Sequence, residues 1–416
     1  MNRLHRWSFT PILYNFFNLG VFQVSSIALQ LLIIPIISRN YGMAVFGQVA
    51  LASSFAAFAA SITNYGTNQT GIKEVAGNTK DNLFLSTLFY KILVFRFLAA
   101  IVIVPISVML FIFYSKLSYW LWLGTIPLIL AEIINPLFFL IGKEKIQWIS
   151  WGNIVVKLLT LLLILLIPLH SHQATWINIM LGLPMVLYYL IVCIYIQFKE
   201  SLRFTFPSNA SLLRLAKENF YIMFNSTTVS LQQSIFLFTI AGFVSANTLG
   251  SYALVDKLLG ACRQLISFFS NAVYPQAARL FLQSPDKWIH FKRTLQKIYT
   301  ALFGIGAIVI FFSAKYIVFL ITKKENDTTE LFVQMFSLVP LLLALNANNV
   351  LTLLLEKGYQ SLFIISILIL GATFLLSFFL AQFGNPQAMG WYPLAIESSC
   401  LLIYLFFTNK KSSYVS

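Results

Sequence analysis

The stretch TLGSYALVDKLLGACRQLISFFSNAVYP, residues 248 to 275, is apolar over a length that can cross a bilayer, yet Asp256, Lys257 and Arg263 lie well inside its ends. A charge at the bilayer centre costs about 2.5–3.5 kcal/mol on insertion scales, so such side chains face a protein interior or a water-filled path. Asp256 and Arg263 are seven residues apart, on one helix face, with Gly260 between them, and Lys257, Ala261 and Gln264 form the adjacent stripe. Two chemistries fit: a conduit for something polar, or an ion pair that locks helices together. Other deep ionisable residues are Lys91, Arg96, Glu132, Lys157 and Glu397. Lys91 is near enough to an end to snorkel; the rest are not, and as a set they would line a mildly cationic cavity. Amides accompany them: Gln23 and Gln30, Gln232 and Gln233, and Asn346, Asn348 and Asn349. Amides donate and accept, which suits hydroxyl-rich ligands, and they serve equally as hydrogen-bonded glue between helices.

The elements that must hold these residues follow from composition. Of 416 residues, 59% are hydrophobic and 10% charged, and the mean hydropathy is +0.81. This describes a polytopic membrane protein. The apolar runs are continuous rather than alternating, so the fold class is all-α, not a barrel. A span needs about 20 apolar residues, and twelve are predicted, near 12–38, 44–66, 86–113, 119–141, 148–168, 175–198, 219–244, 248–274, 295–320, 329–355, 360–383 and 388–408.

The net charge of +15 would favour nucleic acid in a soluble protein; here its placement reports topology. With both termini cytoplasmic, the inner connections and tails hold most Lys and Arg, whereas the outer ones hold only Arg39, Lys116, Lys323 and Lys324. That asymmetry sets the orientation and implies contact with anionic membrane lipids. Arg3 and Arg6 precede a long span with no small-residue cleavage site, so a retained first helix is expected. Cys193, Cys262 and Cys400 have no paired spacing. His170 and His172 lack the further ligands a metal site needs, and there is no Walker sequence. No metal, cofactor or nucleic-acid partner is expected.

The connection KESLRFTFPSNASLLRLAKEN divides the chain into equal halves. The expected organisation is a six-helix lobe at 1–198, a cytoplasmic linker with an amphipathic segment at 199–218, and a second six-helix lobe at 219–416. IPLILAEIINPLFFLIGKEKIQ (126–147) aligns without gaps on VPLLLALNANNVLTLLLEKGYQ (339–360), pairing Pro127 with Pro340 and Asn135 with Asn348. FGQVA (46–50) matches LGSYA (249–253), at an offset that also superposes Gln30 on Gln233. The common order supports duplicated halves of the same membrane orientation.

Several stretches also resemble a known family. PIISRNYGMAVFGQVAL (35–51), NYGTNQTGIKEVAGNTKDN (64–82), NPLFFLIGKEKIQWISWGNIVVKLL (135–159) and the eighth span with its Tyr-Pro exit are similar to Wzx-type O-antigen and polysaccharide flippases. These belong to the multidrug/oligosaccharidyl-lipid/polysaccharide exporter superfamily. The resemblance covers nearly the whole chain. It implies two pseudo-symmetric six-helix bundles of the MATE type, alternating access, and an undecaprenyl-diphosphate-linked oligosaccharide as cargo in a bacterial inner membrane. A polymerase and chain-length proteins of the same pathway are implied partners.

For such a cargo, sugars and a diphosphate must cross a hydrocarbon core of about 30 Å while the polyprenyl tail stays in lipid. On this reading Arg263 and Lys257, helped by Arg96, Lys157 and Arg39, attract the diphosphate. Asp256, Glu132 and Glu397 balance these charges or take a coupling H+ or Na+. Gln30, Gln233, Gln23 and Asn346 suit sugar hydroxyls. A multidrug antiporter, or less favourably a glycan polymerase or ligase, is the alternative.

Overall fold

The structure, a computed structural model, describes residues 9–115, 119–167, 172–283, 285–356 and 358–409. Within these, side chains are described from 27 to 408, outside 107, 110–118, 146–150, 168–171, 271–272, 275, 278, 282–285 and 357–361. The helices are α1 (Phe9–Asn64), α2 (Thr67–Gly77), α3 (Asn82–Ser115), α4 (Tyr119–Leu123), α5 (Ile126–Ile133), α6 (Leu137–Gly142), α7 (Ile146–Leu166), α8 (Gln173–Lys199), α9 (Asn209–Ile240), α10 (Ala246–Gln283), α11 (Pro285–Thr322), α12 (Asp327–Phe336), α13 (Val339–Glu356), α14 (Gly358–Ala381) and α15 (Pro386–Asn409). No strand occurs among the described residues. The protein is an all-α polytopic membrane protein, and each of the twelve expected spans has a helix or a broken helix to carry it.

Two departures from simple spans have physical causes. The first two spans form one helical run, α1, bent at Gly42, whose φ of +84° is open to glycine and strained for other residues. The fourth and tenth spans are broken: α4 gives way to α5 at Gly124–Thr125, and α12 to α13 at Ser337–Leu338. These breaks fall at equivalent positions of the repeat, each just before the paired Pro127 or Pro340 at the start of the next helix, where a missing N–H costs nothing. The fourth span then breaks again before Leu137, because Pro136 cannot continue the ladder; its counterpart Asn349 can, and α13 runs on.

Helices α1–α8 pack mainly among themselves, as do α9–α15, and α1 against α10 is the principal junction between the sets. There the repeat-equivalent glycines Gly47 and Gly250 meet: a Cβ on Gly47 would lie 2.7 Å from the Gly250 nitrogen, and one on Gly250 would lie 2.0 Å from the Met43 carbonyl oxygen. Near this kink end, Arg39 Nε donates to the Ile321 carbonyl at 2.8 Å and Nη2 donates to that of Leu320. Arg39 thus caps the C-terminus of α11, where a cation complements the exposed carbonyls.

At the opposite, linker end the chain is non-helical from Ser201 to Ser208. The expected amphipathic segment is the first part of α9, capped by Ser208, whose hydroxyl accepts from the Ser211 nitrogen. Glu200 accepts from Lys143 at 2.8 Å and Lys145 at 2.6 Å, tying the linker to the turn after α6. Burial pushes the Glu200 carboxyl up, but the two lysines outweigh it and hold it below the usual value.

Candidate functional site

A cavity of about 400 Å³ lies between α1, α7, α8 and α10. Its space comes from small side chains on one face of α1, Ala50, Ser53, Ala56, Ala57 and Ala60. Ile37 and Phe46 bound it toward the kink, and Asn153 lines it nearer the linker end. Two cations line it, Lys157 from α7 and Lys257 from α10, together with Gln30, Asn153 and Thr160, and among the described residues none that lines it is acidic. Lys257 has no ion pair or hydrogen bond among the described residues. Gln30 accepts from Gln264 Nε2 at a long 3.5 Å, so the amide stripe of α10 reaches α1. The two lysine amines and the amides make part of this otherwise apolar lining polar.

A second polar cluster lies in the C-terminal half. Arg263 Nη1 is 3.4 Å from Asp256 Oδ1, and both lie on α10. The pair is therefore within one helix and does not lock two together. Glu397, 6% exposed, accepts from Asn346 Nδ2 at 2.8 Å, joining α15 to α13. The Asn346 Oδ1 atom is buried without a partner among the described residues. Lys257 and Arg263 thus occupy different faces of α10, one toward the N-terminal cavity and the other toward the C-terminal acids.

Arg96 corrects the expectation that it lines the cavity. It is fully buried, and its guanidinium donates to Thr67 Oγ1 at 2.8 Å, to Asn68 Oδ1 at 2.8 Å and to the carbonyls of Asn135 at 2.7 Å and Glu132 at 3.3 Å. Both carbonyls lie just before Pro136, at the end of α5 and in the break that follows it. Glu132 is equally occupied, accepting from Asn64, Asn68 and Asn135. Arg96 and Glu132 hold the broken fourth span against α2 and the end of α1. Replacing Arg96 with Met removes the donors and keeps the bulk, leaving several buried acceptors unpaired at about 1–3 kcal/mol each. The expected outcome is loss of the monodisperse folded peak in detergent size-exclusion chromatography, with Arg96→Lys intermediate.

The other expected site residues also separate. Arg39 caps α11 and is absent from the cavity lining. Gln233 is exposed and away from it, and the Gln23 side chain is outside the described residues. Asn153, Ser53 and Thr160 line the cavity without having been singled out from the sequence; their spacing of four and three residues from Lys157 is the signal that could have found Asn153 and Thr160. Among the described residues no group of His, Cys, Asp or Glu is placed to hold a metal ion.

Comparison with known proteins agrees with this architecture. A family model described as "Polysaccharide biosynthesis protein" matches residues 12–281. The "Putative O-antigen transporter" of Escherichia coli (strain K12) is 22% identical over 357 residues, covering 84% of this chain and 85% of that protein. In fold, the lipid II flippase MurJ in an inward closed conformation superposes with a TM-score of 0.67 at 11% identity, over 93% of this chain and 87% of that one. An inward-facing multidrug resistance MATE family transporter of the MOP superfamily gives 0.64 at 12% identity, over 91% and 96%. The Wzx-type resemblance read from the sequence holds, and the chain belongs to the polysaccharide biosynthesis protein family of multi-pass membrane proteins.

Proposed function

We propose that the protein is a flippase that carries an undecaprenyl-diphosphate-linked oligosaccharide from the cytoplasmic to the outer face of the bacterial inner membrane, for O-antigen, capsule or exopolysaccharide synthesis. The observation that carries this reading is the cavity with two lysines and no carboxylate, in a chain of a polysaccharide family. An anionic diphosphate fits such a lining, and a cationic drug does not. Lys257 and Lys157 take the diphosphate, while Gln30 and Asn153 meet sugar hydroxyls. The polyprenyl tail remains in lipid. Residues 1–198 and 219–416 act as two lobes that rock about the α1–α10 junction, with the 199–218 linker and both termini cytoplasmic. The kink end is then outer and, with Gly47 against Gly250 and Arg39 on α11, closed. Coupling to H+ or Na+ is assigned to the C-terminal acids, Glu397 and Asp256.

The test is translocation of the lipid-linked unit by the purified protein in vesicles, together with its accumulation at the inner face in cells lacking the gene. Toxin sensitivity with an intact surface glycan would instead identify a drug antiporter, and translocated but unpolymerised units would identify a polymerase or ligase. Within this reading Arg263 sets the charge of the acid cluster. Arg263→Ala is expected to abolish transport with membrane insertion retained, and Arg263→Lys to keep part of it. Full glycan export by the alanine variant would remove that role.

A further inference from the structure

The two halves differ most at the linker end. In the N-terminal half the second span ends at Asn64, the third helix begins at Asn82, and the short α2 folds between them. The corresponding part of the C-terminal half is a hairpin of two 38-residue helices, α10 and α11. At 1.5 Å per residue each is about 57 Å long, against a hydrocarbon core of about 30 Å. The apolar run of α11, from Ile298 to Thr322, already spans that core, so the turns from Pro285 to Lys297 project about 20 Å past it. The projection is a built element: Trp288, Leu295 and Tyr299 pack with Ile266 and Ala277 of α10 and Leu351 of α13. Trp288 Nε1 donates to Glu356 at 3.1 Å, and Lys292 is 3.8 Å from the same carboxylate.

Its other face is cationic. Lys287, His290, Arg293 and Lys297 follow each other at intervals of three or four residues, and all are exposed, as is Arg279 on α10. Among the described residues none of the four lysines and arginines has an ion pair. Ile289 and Ile298, 46% and 54% exposed, flank the stripe. Nothing in the transport reading uses these residues, and the repeat lacks them in its first half.

We propose that this basic stripe docks a peripheral protein through an acidic helical face at the cytoplasmic membrane surface. The stripe runs outward along α11 for about 15 Å from Lys297 to Lys287, whereas a headgroup layer is only about 5–8 Å deep. Lipid phosphates reach Lys297 and Arg293 and fall short of Lys287 and His290; a helix with carboxylates every three or four residues matches the whole length. The assignment of this face as cytoplasmic rests on the flippase reading. So does the class of partner with a reaction to perform there, a glycosyltransferase that completes the lipid-linked unit.

The test uses full-length protein carrying Lys287→Glu and Arg293→Glu. In nanodiscs of zwitterionic lipid, a fluorescent helical peptide with Glu at every third or fourth position should bind wild type in a salt-sensitive manner and bind the variant about tenfold or more weakly. Lys287→Arg with Arg293→Lys should bind as wild type does. In vesicles the charge-reversed protein should translocate normally, while surface glycan in cells falls. Equal peptide binding by both proteins would overturn the proposal, as would loss of translocation in vesicles, or a defect that appears only when anionic phospholipid is present. Should wild type itself not translocate, the flippase reading fails and the peptide arm still decides the docking site.

Discussion

Replacing Lys157 and Lys257 together with Gln is expected to abolish transport while leaving the fold intact. Both lysines line the cavity, from α7 and α10 respectively. A charge-assisted contact is worth about 1.5–3 kcal/mol, and every 1.4 kcal/mol is a factor of about ten. Two contacts on one diphosphate therefore amount to about two to four orders of magnitude in affinity. Either single variant should lose about half of that on a logarithmic scale, and Lys→Arg at both positions should retain most activity because the anion site survives. Glutamine preserves the stem and a donor, and both positions are half-buried, so folding is not the readout. The measurement is vesicle translocation of the lipid-linked unit at matched protein levels. Near-normal rates in the double Gln variant would mean that the diphosphate is held elsewhere.

That prediction differs from what the sequence supported, and the reason is geometric. Hydropathy and charge placed Arg96, Lys157, Lys257 and Arg263 inside spans, and all four lie within helices, on α3, α7 and α10. Sequence spacing does not report which way a helix is rotated against its neighbours. Lys257 and Arg263 are six residues apart on α10, which puts them about 120° away from eclipsed, enough for one to line the cavity and the other to meet Asp256. Arg96 is harder still to read from sequence, because two of its four partners are backbone carbonyls left free to accept where Pro136 breaks the fourth span. The repeat was legible where side-chain identity is itself the constraint: Pro127 with Pro340 marks equivalent breaks, and Gly47 with Gly250 marks a backbone contact. Gln30 and Gln233, superposed by the same repeat, part company, since Gln30 lines the cavity and Gln233 is exposed. The paired positions keep their place along the helices, while what each helix faces differs between the halves.

Substituting Gly250 with Leu should force the kink end open. A Cβ at this position comes within 2.0 Å of the Met43 carbonyl oxygen and 2.7 Å of its carbon. Both are backbone atoms, so no side chain can turn aside. Relief requires α10 to move away from α1, and because Gly47 rests on Gly250 across the same contact, the two halves separate where they are closest. The α11 carbonyls held by Arg39 across the halves would then be pulled from it. Overpacking of this kind costs about 1–3 kcal/mol, which shifts an equilibrium between closed and open kink ends by a factor of about 5–150. The population is measurable through a thiol at Ser53, which lines the cavity. In a background with Cys193, Cys262 and Cys400 replaced by Ser, Ser53→Cys should react slowly with a membrane-impermeant maleimide applied to the outer face of cells. Adding Gly250→Leu should raise that rate about fivefold or more, in line with the shifted population. Adding Arg39→Ala instead should raise it less, since that change removes hydrogen bonds without imposing a clash. If the rate at Ser53→Cys is the same with and without Gly250→Leu, in protein that remains folded, the glycine contact is not the closure between the halves.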